Sequence, residues 1–185
     1  MWKEELPQRA GTSTRPEAEV STLDARPLTR AWPAYAAAVL AFASAAVSLY
    51  WTLGGTRLLD TVGGSLEDLA RERSGGALLL GIVVVLVKAV GGVLALALVR
   101  PWGARVGRRL PVLLAGAAST LLALYGAVYV LVGGLVLGGV ITPSEPVDLH
   151  GLRWHVFVWE LWFLLWGLAL GLAAWRSHVD RSSST

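Results

Sequence analysis

Two residues in long apolar runs have the chemistry that lipid rejects: Lys88 in ALLLGIVVVLVKAVGGVLALALV and Glu160 in LRWHVFVWELWFLLWGLALGLAAW. A charge at bilayer depth costs about 2.5 to 3.5 kcal/mol on insertion scales, so two unpaired ones would rival the stability of a whole fold. The residues must meet as an ion pair, titrate to neutral forms, or face a wet cavity. Each solution places them inside a helical assembly. A register-fixing staple is the simpler use of such a pair, and a proton or solute relay is the other.

The composition demands the membrane that these residues disturb. The chain has 185 residues, of which 55% are hydrophobic and 16% charged. Its mean hydropathy is +0.58, whereas soluble domains hold about 25% charged residues. Four stretches are long enough to span a hydrocarbon core, near residues 32–53, 77–99, 110–140 and 152–175. The expected fold is all-α: a four-helix transmembrane bundle with a short amphipathic extracytoplasmic link. Disordered tails are expected at residues 1–31 and 177–185, which lack apolar periodicity. The first span is expected to be retained, because its apolar run exceeds a signal-peptide core of about 7 to 15 residues.

Depth and helical phase both favour a meeting of Lys88 with Glu160. Spans two and four run in the same direction, and the residues lie about 16 Å and 12 Å below the starts of their apolar runs at ~1.5 Å per residue. On a helical wheel Lys88 shares a face with Gly81, Gly92 and Ala95, while Glu160 shares one with Gly167, Gly171 and Ala174. Small residues let helices approach, so these are the packed faces. A second face of span four carries His155, Trp159, Trp162 and Trp166, which an ideal wheel points away from Glu160. Lipid contact or internal packing explains such a stripe; a partner subunit or flat apolar ligand is the functional alternative.

The charges report orientation. Net charge is +3, but the basic residues gather in the N-terminal tail, in the link bearing Arg100, Arg105, Arg108 and Arg109, and after span four. Positive residues are retained in the cytoplasm, which puts both termini inside and makes the four arginines an anionic-lipid contact. The link at residues 54–76 then lies outside. There, Leu58, Leu59, Val62, Leu66 and Leu69 recur at helical spacing, interrupted by Gly63 and Gly64, which suggests two short pieces. The third run is too long for a straight span: its 31 residues would rise about 46 Å, so it must tilt, break or emerge early, with Gly133, Gly134, Gly138 and Gly139 the expected place. A weak echo relates Tyr50 to Gly55 with Tyr129 to Gly134, as a parallel internal repeat would.

Several chemistries have no foothold. The chain has no cysteine, which removes disulfides and thiolate chemistry. His150, His155, Asp148 and Glu145 cluster in sequence, but no other span offers a histidine, so neither a metal nor a cofactor is expected. Ser44, Ser48, Ser119 and Thr120 would line a polar path or bond back to their own helices. No phosphate-cradling loop, catalytic triad spacing or H-E-x-x-H run occurs, so the chain is expected not to be an enzyme.

The stretch Trp51-Thr52-Leu53-Gly54-Gly55-Thr56, the Lys88 span, the Arg100-Pro101-Trp102-Gly103 turn, and Arg153-Trp154-His155 followed by Trp159-Glu160-Leu161-Trp162-Phe163 together carry a likeness. They resemble a family of small four-span actinobacterial membrane proteins known only as a domain of unknown function. The resemblance covers about residues 32–176 and implies four spans in a plasma membrane. It implies no activity and no catalytic residue. The arginine and Ala/Gly/Val/Leu bias independently suggests a high-GC bacterium. The favoured function is a non-enzymatic membrane subunit or scaffold, whose partners are the bilayer and a membrane protein or a second copy, not nucleic acid. A small proton-linked transporter using Glu160 and Lys88 is the alternative. An intramembrane lipid-modifying enzyme with Glu160 or His155 as base is more remote.

Overall fold

The structure is a computed structural model that describes residues 17–107, 109–144 and 146–182. It divides into two compact units, Met1–Arg30 and Ala31–Thr185. The elements are α1 (Glu17–Thr52), a 3-10 turn (Leu59–Thr61), α2 (Gly64–Glu72), α3 (Gly75–Ala97), a second 3-10 turn (Pro101–Val106), α4 (Leu110–Leu137), α5 (Leu149–Trp154), a π turn (His155–Trp159) and α6 (Glu160–Ser182). No strand occurs among the described residues. Four helices are long and apolar enough to cross a membrane: Arg30–Thr52, Gly75–Ala97, Leu110–Leu137 and Leu149–Val179.

Residues 17–31 and 177–182, expected to be disordered, have helical backbone. Extending an existing helix needs no new nucleus, and neither stretch contains glycine. Residues 1–16 and 183–185 lie outside the described residues.

Glycine supplies the stops. At the end of α1, Gly54 takes φ 98°, its N–H bonds to the Trp51 carbonyl, and the Gly55 N–H bonds to the Tyr50 carbonyl. At the end of α4, Gly139 takes φ 72°, with matching bonds from Gly139 to Val136 and from Val140 to Leu135. Both are Schellman closures, which satisfy orphan carbonyls through one left-handed residue. The overlong third run therefore ends at Leu137, while Gly133 and Gly134 remain helical. The echo between the halves thus does not extend to matching helix ends. Helix starts are capped by side chains: Ser74 accepts from the Ala77 N–H, and Asp148 accepts from His150 and Gly151.

The core of the second unit is built from small residues. Ala34, Ala37, Ala38 and Ala41 of α1 are buried with Ala95 of α3, Ala115 of α4, and Trp166, Leu170, Ala173 and Ala174 of α6. With no hydrophobic force separating helix from lipid, such close steric fit is what holds spans together. The α4–α6 seam is tightest: a Cβ on Gly167 would lie 2.5 Å from the Ala123 nitrogen, and one on Gly126 would lie 2.7 Å from the Glu160 carbonyl oxygen. The outward faces of α3 and α4 expose Leu79, Leu86, Val87, Leu113, Leu121 and Leu131, as a lipid-facing surface must. The 54–76 link forms two short helical pieces separated at Gly63, which has φ 62°.

Candidate functional site

The site begins with the π turn. Residues five apart on an α-helix point about 140° away from each other at ~100° per residue. A π turn hydrogen-bonds i→i+5 and stacks them instead. Here the Glu160 N–H donates to the His155 carbonyl, and the His155 imidazole comes onto the Glu160 side. Nδ1 of His155 lies 3.0 Å from Oε1 of Glu160. The two residues that an ideal wheel separates are therefore direct partners.

Glu160 is 2% exposed. Tyr125 of α4 donates its hydroxyl to the same Oε1 at 3.3 Å, while Oε2 has no hydrogen-bond partner among the described residues. The other ring nitrogen of His155, Nε2, lies 2.7 Å from the Val62 carbonyl oxygen in the 54–76 link. A carbonyl only accepts, so Nε2 carries a proton. The contact between Nδ1 and Oε1 then needs one further proton between two atoms. It is either imidazolium with carboxylate or neutral imidazole with carboxylic acid. With that proton gone, two lone pairs face each other and the contact fails. The imidazole thereby joins the buried carboxyl to the 54–76 link.

Lys88 goes elsewhere. Its Nζ donates to Ser48 Oγ of α1 at 2.8 Å and lies 5.4 Å from the centroid of the Phe163 ring, a cation–π distance. No ion pair joins Lys88 to Glu160 among the described residues. The glycine faces do pack, but against different helices. On α3, a Cβ on Gly81 would meet Thr52 and one on Gly92 would meet Phe42, both on α1. On α6, Gly167 and Gly171 press against Ala123 and Ser119 of α4. Matching depth is not matching direction, and the expected staple gives way to two separate polar clusters.

The clusters share space. A cavity of about 150 Å³ is lined by Lys88, Glu160, His155, Tyr125, Trp159 and Trp162, among others. A second, of about 210 Å³, shares Lys88, Trp51 and Val62 with the first and continues beneath the 54–76 link. The link is fastened by His155 and by Trp159, whose Nε1 donates to Thr61 Oγ1 at 3.1 Å.

The tryptophan face of span four turns inward. Trp162 Nε1 donates to the Leu40 carbonyl of α1 at 3.0 Å, and Trp166, 4% exposed, covers Gly91 of α3. Trp162 and Trp166 pack spans together, and Trp159 and Trp162 line the cavity of about 150 Å³. Among the arginines of the link between α3 and α4, Arg100, Arg105 and Arg109 are exposed, and Arg100 lies over the Tyr35 ring. Arg108 and Glu145 lie outside the described residues. No group of three or more His, Asp or Glu among the described residues is arranged to hold a metal ion.

Sequence reading missed Tyr125, Thr61 and Val62. Tyr125 is one of several aromatics in an apolar span, and Val62 acts through its backbone carbonyl, which every residue possesses. Ser48, by contrast, was among the hydroxyls weighed for a polar path. Ser119 and Thr120 bond back to the Gly116 carbonyl of their own helix.

Neither a curated protein nor a solved structure matches the chain. A family model does match, over residues 25–170, which includes Ser48, Lys88, Tyr125, His155 and Glu160. The chain belongs to the family described as protein of unknown function (DUF3995).

Proposed function

We propose that this chain is a small non-enzymatic transporter of a bacterial plasma membrane, with both termini cytoplasmic, that moves a solute in step with a proton. The observation that carries the reading is the buried Glu160 carboxyl. Its Oε1 lies 3.0 Å from His155 Nδ1, its Oε2 has no hydrogen-bond partner among the described residues, and the residue borders a cavity that also holds Lys88. Buried polar atoms are normally satisfied, so an orphaned oxygen on a residue that lines a cavity is a place for a proton or a solute donor. Loss of the shared proton breaks the His155–Glu160 contact, and His155 and Trp159 hold the link above the cavity. Proton binding on that cluster, with Tyr125 of α4 and Lys88 of α3 facing it, thus couples to closure of the outer side.

The test uses the intact chain in liposomes with an entrapped pH dye. Amino acids, sugars, amines and carboxylates are added outside in turn. At least one class should acidify the lumen, and Glu160→Gln should abolish the signal while retaining the native elution profile and helical signal. If no class moves protons, or Glu160→Gln moves them as well as the wild type does, the transport reading is wrong.

A second reading, a membrane subunit or scaffold, is favoured by the bonds that tie spans within one chain, Trp162 to Leu40 and Lys88 to Ser48. In that reading the cavity is a by-product of irregular packing, and the proton assay is silent with every solute.

A further inference from the structure

Lys88 stands in both cavities, and the larger one has a chemistry of its own. Besides Lys88 and Ser48 at one end, its lining contains Arg73 at the other, with aliphatic side chains such as Leu59, Leu69, Leu78 and Val84 between. No Asp or Glu lines it among the described residues. It runs along α3 from Ala77 to Lys88, about 16 Å at ~1.5 Å per residue. A dry cavity of about 150 Å³ holds benzene, or about 25 Å³ per carbon, so about 210 Å³ takes a chain of about eight carbons.

We infer that this cavity binds a medium-chain alkyl carboxylate, with its carboxylate on Lys88 Nζ and Ser48 Oγ and its alkyl chain beneath the outer link. The inference rests on the transport reading and names the solute class for it. Lys88 is a half-buried cation whose hydrogen bond goes to a neutral hydroxyl. An anion there converts a costly lone charge into a charge-assisted pair. An alkyl body satisfies the aliphatic walls, which a sugar or an amino acid would not. Arg73 is exposed and its guanidinium hydrogen-bonds only weakly, to the Leu53 carbonyl at 3.4 Å, so it is placed to draw an anion to the mouth.

The test measures saturable binding of labelled octanoate to the full chain in nanodiscs of uncharged lipid, with octanol and octylamine as competitors. Octanoate should bind and neither competitor should displace it at equal concentration. Lys88→Met should weaken binding about 10- to 100-fold, the usual worth of a hydrogen bond to a charged group. Arg73→Gln should slow association and leave dissociation unchanged. Equal binding by Lys88→Met, or equal competition by octanol, would overturn the proposal. Should Lys88→Met fail to fold, the competition experiment on the wild type decides alone. Proton-coupled movement of another solute without octanoate binding would sink this inference and leave the transport reading standing; octanoate binding without proton movement would do the reverse.

Discussion

Adding one methyl group at Gly126 or Gly167 should part α4 from α6. A Cβ on Gly126 would lie 2.6 Å from the Leu164 nitrogen, and one on Gly167 would lie 3.0 Å from the Ser119 carbonyl oxygen, against an ordinary contact of 3.4–4 Å. The obstructing atoms are backbone, so no rotamer change relieves them and the helices must separate by about 1 Å. Overpacking of this kind costs about 1 to 3 kcal/mol. Alanine recovers about 0.5 to 1 kcal/mol of helix propensity, so each substitution should be destabilising by up to about 2.5 kcal/mol net. Because one separation relieves both clashes, the double variant should lose clearly less than the sum of the two losses. Gly116 and Gly134 have open space at the Cβ position, and alanine there should be neutral or stabilising. Unfolding by sodium dodecyl sulfate in mixed micelles, followed by tryptophan fluorescence, measures all five variants on one scale. If Gly126→Ala is as stable as Gly134→Ala, or if the double variant is fully additive, the helices do not touch where this argument needs them to.

Two smaller effects are expected in the same assay. Trp162→Phe keeps an aromatic ring but removes the bond to the Leu40 carbonyl, and should cost about 0.5 to 1.5 kcal/mol. Arg71→Gln breaks an ion pair with Glu67 whose arginine side chain is 51% exposed, and should change stability by less than about 0.5 kcal/mol.

What sequence periodicity revealed, and what it hid, follows from what each residue needs in order to act. The spans, the glycine stops and the division of the 54–76 link at Gly63 depend on local properties: apolar length, a left-handed residue, a broken helical pattern. The burial of Glu160 and the tight packing of Gly167 and Gly171 also followed, because they lie on one regular helix. The partners of Glu160 and Lys88 did not. Assigning them required knowing that α3 leans on α1 and α6 on α4, which is a property of four faces at once. It also required the π turn. No residue in His155-Val156-Phe157-Val158-Trp159 announces an extra residue in the turn, since the insertion leaves every side chain apolar or aromatic except the histidine it re-aims.

The π turn reconciles two fixed requirements. At its N-terminal end α5 is set by Asp148, which caps two amides, and by the His155 bond to the Val62 carbonyl. At its C-terminal end α6 is set by the glycine face pressed against α4. A straight α-helix joining them would leave His155 about 140° from Glu160, and the carboxyl would face α4 with Tyr125 alone to hold it. Inserting the turn brings imidazole to carboxyl without moving either end. The cost of an irregular turn is carried locally, and the gain is an imidazole held between the Val62 carbonyl and a buried acid. Single π turns gather at functional sites for this reason: they re-aim one side chain while the packing on both sides stays regular.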